Sequence, residues 1–335
     1  MIIVKPSHKH LDCSKFTAEQ FIEKIGRTCY KSEDKITDTS AEAFVRMLAK
    51  NKHWAMLEHG TVYMLVPIPS WTNLRTYCSE QSISLAFIKH SSYDESHYIV
   101  SGSFRSFRDL FVAYLDLMEK KAASPHYEIE TILSALYAKY PVFYEEFEKA
   151  AGKIGTTGNT IDFLSRIEIE DNNNLPDSTK MRHLTHTVLF VCDRGVSHEL
   201  VRHRPCSFAQ ESTRYCNYGN DKHGNQITVI EPFFYAEPGR EKEYEIWKKS
   251  CEVAEKSYMD LLAIKRSPQE ARSVLPNSLK TEIIMTATED EWQHIINLRA
   301  IGTTGAPHPQ MKEIMLPWSK ELAEITNGRI FAGEN

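Results

Sequence analysis

Apolar and polar positions follow two rhythms along this chain. Ile2 to Val4 is a short apolar run of strand type, and Thr17-Ala-Glu-Gln20 then has the spacing of a capping box, in which the first and fourth side chains satisfy each other's backbone N–H groups at a helix start. Phe44, Val45, Met47 and Leu48 recur at helical spacing and predict a second helix near Ala41 to Asn51. Gly60 to Val66 reads as a strand running into Pro67 and Pro69. Beyond it amphipathic helical patterns cover Phe107 to Lys121 and Tyr127 to Tyr140, and a polar stretch from Glu168 to Lys180 holds Asn172, Asn173 and Asn174. Residues 67–184 therefore read as a helical insertion of unassigned role, splitting a single domain whose core is 1–66 and 185–325.

After the insertion comes a strongly apolar strand, Thr187 to Cys192, then a helix through Val196 to His203 that Pro205 must end. A strand near Ile227 to Ile230 and a long helix over Glu241 to Ile264 follow. Ser267-Pro-Gln-Glu270 and Thr288-Glu-Asp-Glu291 have capping-box spacing and predict two further helices, which carry Arg272 and Arg299. The pentapeptide Ile-Gly-Thr-Thr-Gly occurs at Ile154 to Gly158 and at Ile301 to Gly305, where its glycines and threonines suit turns. Nothing matches G-x-G-x-x-G or a Walker loop.

With 335 residues, 41% hydrophobic and 25% charged, the composition is that of a globular protein, which excludes collagen, coiled coil and wholesale disorder. Forty Lys and Arg against 45 Asp and Glu give a formal charge of -5, so no global positive field holds nucleic acid or an anionic membrane surface. No apolar run approaches the roughly 18 residues of a spanning helix, and the start is too soon broken for a signal peptide, so a cytoplasmic protein is expected. Seven scattered cysteines without a C-x-x-C pair read as reduced thiols.

Against that acidic background, Arg202, Arg204 and Arg214 fall within thirteen residues opposite one acid, Glu211. Arginines so close repel unless an anion lies between them, and each offers a fork matched to phosphate. Pro205, Cys206 and Phe208 between them indicate a partly buried segment. His198 and His203 are five apart, which rotates one about 140° from the other on a helix, so the pair does not form a zinc helix and no metal is expected.

Arg202-His-Arg204 followed after seven residues by Ser212 resembles the motif of flavin-dependent thymidylate synthases. Ala271 to Asn277, Thr286, Trp292 to Arg299 and Leu57-Glu-His-Gly60 are similar to other parts of that family, so the resemblance covers roughly residues 1–66 and 185–300. It implies an α/β chain of α+β type, with a central, mainly antiparallel sheet flanked by helices. It also implies an enzyme, a methyltransferase that converts dUMP to dTMP with methylenetetrahydrofolate as carbon donor, FAD as redox relay and NADPH as reductant. Carbon 5 of uracil is a poor nucleophile, and an arginine beside the ring activates it by stabilising the charge that accumulates there.

By the same resemblance, Arg299 is the catalytic arginine and also binds dUMP. Glu199, Arg202, Gln210, Glu211, Ser212, Thr213, Arg214 and Arg272 contact dUMP, with Ser212 and Arg214 on its phosphate. His59, Arg202, His203, Arg204, Gln210, Thr288 and His294 contact FAD. A homotetramer with active sites between subunits is implied, with no nucleic-acid or membrane partner. Thr288 departs from the asparagine many members carry, and the stretch between His59 and Arg202 is longer than the family core needs. Two other readings compete: a thiolate-dependent nucleotide-modifying enzyme using Cys206, and a single-stranded nucleic-acid-binding module stacking bases on Phe208, Tyr215 and Tyr218.

Overall fold

The computed structural model describes residues 1–120, 125–151, 161–214, 216–220 and 224–333. Tyr215 and the Ile154 to Gly158 repeat lie outside them. Helices pack on two four-stranded antiparallel sheets, an α+β architecture as expected.

The first sheet runs β2 (Ser7–His10), β7 (Thr185–Asp193), β10 (Lys280–Thr288), β8 (Ser207–Gln210), with a smaller parallel pair of β1 (Ile2–Val4) and β9 (Thr228–Ile230) beside it. The apolar run read at Thr187 to Cys192 is the middle of β7, a central strand buried on both faces. Val188, Phe190 and Cys192 join a core with Trp292, Ile295 and Ile296 of α12 (Glu289–Ile296) and Met311, Ile314 and Trp318 of α13 (Pro309–Ile325). On the other face Leu189, Ala209 and Ile284 meet Phe21 and Ile25 of α1 (Ala18–Tyr30), whose capping box at Thr17 and Gln20 is formed.

The second sheet runs β4 (Ile88–Ser92), β5 (His97–Ser103), β3 (Thr61–Pro67), β6 (Asp162–Leu164). Its core gathers α1 and α2 (Ala41–Lys50) with α3 (Ile68–Glu80), α4 (Phe104–Glu119) and α5 (Tyr127–Lys139). The stretch 67–184, read as helical, thus also supplies β4, β5 and β6. The strands escaped the pattern because Lys89-His-Ser-Ser92 and Ser101-Gly-Ser103 interrupt their apolar runs. Helix α3 escaped because Pro67 and Pro69 read as breakers, whereas Pro69 stands in the first helical turn, where no N–H partner is required. Helices α6 (Glu148–Ala151), α7 (Arg166–Asp171) and α8 (Asp177–His183) return the chain to β7.

Before the Arg-His-Arg turn stands α9 (Arg194–Leu200), and α10 (Glu241–Ala263) covers β9 with Trp247, Cys251 and Tyr258. The capping box at Ser267 opens only the short α11 (Pro268–Ala271), and Arg272 begins a 3₁₀ turn after it rather than riding a helix. Thr288 does precede α12, but its hydroxyl makes no cap: it bonds the Asp290 carboxylate and accepts from Lys89 Nζ at 2.8 Å. A lysine from β4 has diverted the group. After α12 the helix widens into a π turn, Asn297–Ile301, of the kind often found at functional positions. Gly302 stops it at φ 83°, where a Cβ would lie 2.9 Å from both the Gly305 carbonyl oxygen and Pro307 Cδ. The second Ile-Gly-Thr-Thr-Gly copy is therefore a helix stop. No helix among the described residues is long and apolar enough to cross a membrane.

Candidate active site

Asp193 closes β7 and its carboxylate accepts the Val196 N–H at 2.7 Å, starting α9 immediately. The helix lasts seven residues, ending at Leu200 rather than His203, and the chain then turns through Arg202-His-Arg204 into edge strand β8, paired with β10 from Ser207 opposite Thr286 to Gln210 opposite Ile283. Arg204 braces the turn by donating from Nη1 to the carbonyls of Val201 and His203 at 2.5 and 2.7 Å. Arg202 is exposed.

Around this turn the expected residues form three groups. In the first, Arg299 donates from Nη1 to Glu199 Oε2 at 2.6 Å and from Nε to His203 Nε2 at 3.1 Å. His203 accepts, so it is neutral there; burial, with Arg299 and His294 nearby, holds its pKa down to about 4. Trp292, Ile295 and Ile296 are fully buried and anchor the helix that leads to Arg299, while His294 is exposed with its ring 6.4 Å from that of His203. His203, Glu291 and His294 bring ligand-type atoms within 4.8 Å of one another. The His203 lone pair is engaged by Arg299, however, and that guanidinium opposes a second cation, so the trio is not assigned a metal.

The second group is the loop after β8. Gln210 Nε2 donates to Ser197 Oγ at 2.9 Å and Thr281 Oγ1 at 3.2 Å. Glu211 is buried, its carboxylate 3.3 Å from Lys280 Nζ and its carbonyl 3.4 Å from Arg194 Nη1. The Ser212 hydroxyl accepts the Arg214 backbone N–H at 3.3 Å, and Arg272 reaches Thr213 Oγ1 at 3.4 Å across 59 positions of sequence. Arg214 and Arg272 are exposed.

The third group faces a cavity of about 350 Å³ between the two sheets. Arg204, Pro205, Cys206, Ser207, Thr286 and Thr288 form one wall, and Lys89, Ser101, Ser103, Arg105 and Glu58 contribute to the other, with Phe87 at its edge. Of the residues expected at FAD, Arg204 and Thr288 line this space. His59 does not: it is 2% exposed and hydrogen-bonded through Nδ1 to the cavity residue Thr286 at 2.7 Å, its Nε2 buried without a partner and its pKa lowered to about 4 by burial. None of the residues expected at dUMP lines the cavity.

Arg194, Lys280 and Lys89 were not anticipated. Arg194 stands beside the arginine cluster and was open to recognition; Lys280 and Lys89 carry no local signal, because the pairing of β8 with β10 brings in the first and the second sheet, lying across the cavity, brings in the other. The competing readings find little support. Burial and the Glu291 carboxylate push the Cys206 thiol well above its ordinary value, opposite to what a nucleophile needs. Tyr218 is buried against Tyr258 and offers no stacking face.

Residues 144–326, more than half of the chain, match the family model described as thymidylate synthase complementing protein. The match takes in the end of the segment read as an insertion and does not reach residues 1–66. Similar proteins include a flavin-dependent thymidylate synthase of Thermococcus onnurineus, 33% identical over 35% of this chain and 48% of its own length. Another, from Corynebacterium aurimucosum, is 29% identical over 43% of this chain and 60% of its own length. The matches thus span about half the length of these relatives. A crystal structure of a UMP/dUMP methylase from Streptomyces cacaoi aligns over 98% of this chain and 96% of its own at 13% identity, with a TM-score of 0.41, too loose to build on.

Proposed function

The chain belongs to the thymidylate synthase complementing protein family, and on that premise we propose that it methylates dUMP reductively to dTMP, using FAD, methylenetetrahydrofolate and NADPH. The observation that carries the reading is the meeting of Arg299 with Glu199 and His203. Two of the arginine's five N–H donors are spent on holding it, and the others remain to meet the pyrimidine edge, where negative charge must be stabilised for carbon 5 to act as a nucleophile. A neutral His203 accepts a hydrogen bond from the guanidinium without repelling it.

Ser212 and Arg214 bind the nucleotide phosphate, Arg272 closes on it from the 3₁₀ turn, and Gln210, Glu211 and Thr213 shape the loop that receives it. The residues at the cavity fit a flavin: its volume is that of a small-molecule pocket, hydroxyls and cations line it, and the orphaned His59 Nε2 lies behind Thr286. Arg204 and Thr288 would hold the flavin, which supplies hydride transfer when bound, with Arg202 and His294 on its approach. Arg299 of the dUMP set bonds His203 of the FAD set, while the cavity lined by Arg204 and Thr288 holds none of the dUMP set, and we propose that active sites are completed between subunits of a homotetramer. The core of 1–66 and 185–325 then carries the chemistry, and 67–184 walls the cavity. We assign the activity to the cytoplasm.

Absorbance spectra and NADPH oxidation with and without dUMP test the reading. Flavin absorbance and dUMP-coupled oxidation are expected; failure to take up added FAD would overturn it.

A further inference from the structure

Lys31 ends helix α1 at φ 50° and ψ 52°, in the left-handed region where helix ends ordinarily place glycine or asparagine. Lys52 and Lys265 share this conformation, so what sets Lys31 apart is where its side chain goes. The ammonium reaches out of α1 to the first sheet. It pairs with Glu282 and lies 3.8 Å from Glu211 Oε2, while Lys280 approaches the same Glu211 oxygen at 3.3 Å and also pairs with Glu282. Glu211 is 4% exposed and Lys31 16%. Two ammonium groups and two carboxylates thus make a nearly buried, neutral quartet directly before Ser212 and Arg214. Lys280 alone cannot neutralise both carboxylates. Without Lys31 the quartet carries a net negative charge beside a loop that must receive a phosphate dianion.

We infer that Lys31, outside the residues matched by the family, is a positioning residue for the nucleotide end of the site. It fixes the Glu211 carboxylate, and through it the loop from Ser212 to Arg214, without touching substrate. The inference rests on the proposed role of that loop in holding dUMP.

The test separates structure from binding because glycine suits this backbone better than lysine. Lys31→Gly is expected to stay folded with unchanged flavin content, the relief of its left-handed backbone offsetting part of the stability lost with the ion pair, yet to weaken dUMP binding about tenfold or more, as loss of a charged pairing does. The loss should fall on the KM for dUMP with kcat little changed, and Lys31→Arg should restore affinity to within about threefold, since it keeps the charge. Wild-type affinity in Lys31→Gly overturns the inference. If the wild-type protein itself binds no dUMP, the functional reading fails instead, and a crystal structure of Lys31→Gly decides the inference: Glu211 is expected to leave its place beside Lys280, and an unmoved Glu211 overturns it.

Discussion

Arg299 and Glu199 stand 100 positions apart in sequence and meet at 2.6 Å, one on a π turn after α12 and the other on α9. The pairing holds the guanidinium over the Arg-His-Arg turn, because both elements pack on the same face of β7 and β10. The same glutamate that holds the arginine also spends part of its charge, so the effect of removing either is open to measurement.

Arg299→Ala should lower kcat for dTMP formation about 10²- to 10³-fold, the cost of deleting one preorganised stabiliser of developing charge. Cys206→Ala should retain most of the activity, given a thiol buried beside Glu291. Steady-state rates of both variants compare the two mechanisms, and a comparable loss at Cys206 would replace ring-charge stabilisation by thiolate attack.

Ser212→Ala and Arg214→Ala should weaken dUMP binding by roughly tenfold or more while flavin affinity changes little, since hydrogen bonds to charged groups are worth about 1.5–3 kcal/mol. Calorimetric titration of each variant with dUMP and with FAD gives the split. Unchanged dUMP affinity in both contradicts the phosphate assignment.

Burial holds His59, His186 and His203 to a pKa of about 4, below the ordinary 6.5. Between those values the unfolded chain binds protons that the native protein refuses, so stability should rise with pH from about 4 to 6.5 and gain nothing further from these groups above it. Urea unfolding at several pH values should show this slope, and His59→Gln, which can still bond Thr286, should flatten part of it. Parallel curves for the two proteins would show that His59 takes no part.

Glu289, fully buried, accepts from Arg329 at 2.9 Å on both carboxylate oxygens and lies 2.9 Å from His186 Nε2. Glu289→Gln should cost about 3 kcal/mol in urea unfolding, the low end for breaking a buried ion pair, because Glu170 still holds Arg329 at 2.7 Å. A loss below about 1 kcal/mol would mean that the network is not a stability element.

Local pattern alone determined much of this protein. The capping boxes at Thr17 and Ser267, the apolar run of β7, the short helix stopped before Pro205 and the arginine cluster all depend on residues within one or two turns of each other. Periodicity also marked Trp292, Ile295 and Ile296 as the buried stripe leading to Arg299. What it missed depends on partners distant in sequence. Lys89 takes the Thr288 hydroxyl from its helix because β4 lies across the cavity, and no pattern near Thr288 reports that. His59 read as a flavin contact, but the packing of its 3₁₀ turn, Trp54–His59, on β8 buries it behind Thr286. The cavity itself exists only where two sheets, built from strands distant in sequence, come face to face. Lys31 is the clearest case: a lysine at a helix end is unremarkable in sequence, and only the register of β8 on β10 brings Glu211 and Glu282 within its reach, since an ion pair depends on separation in space and a local pattern carries none.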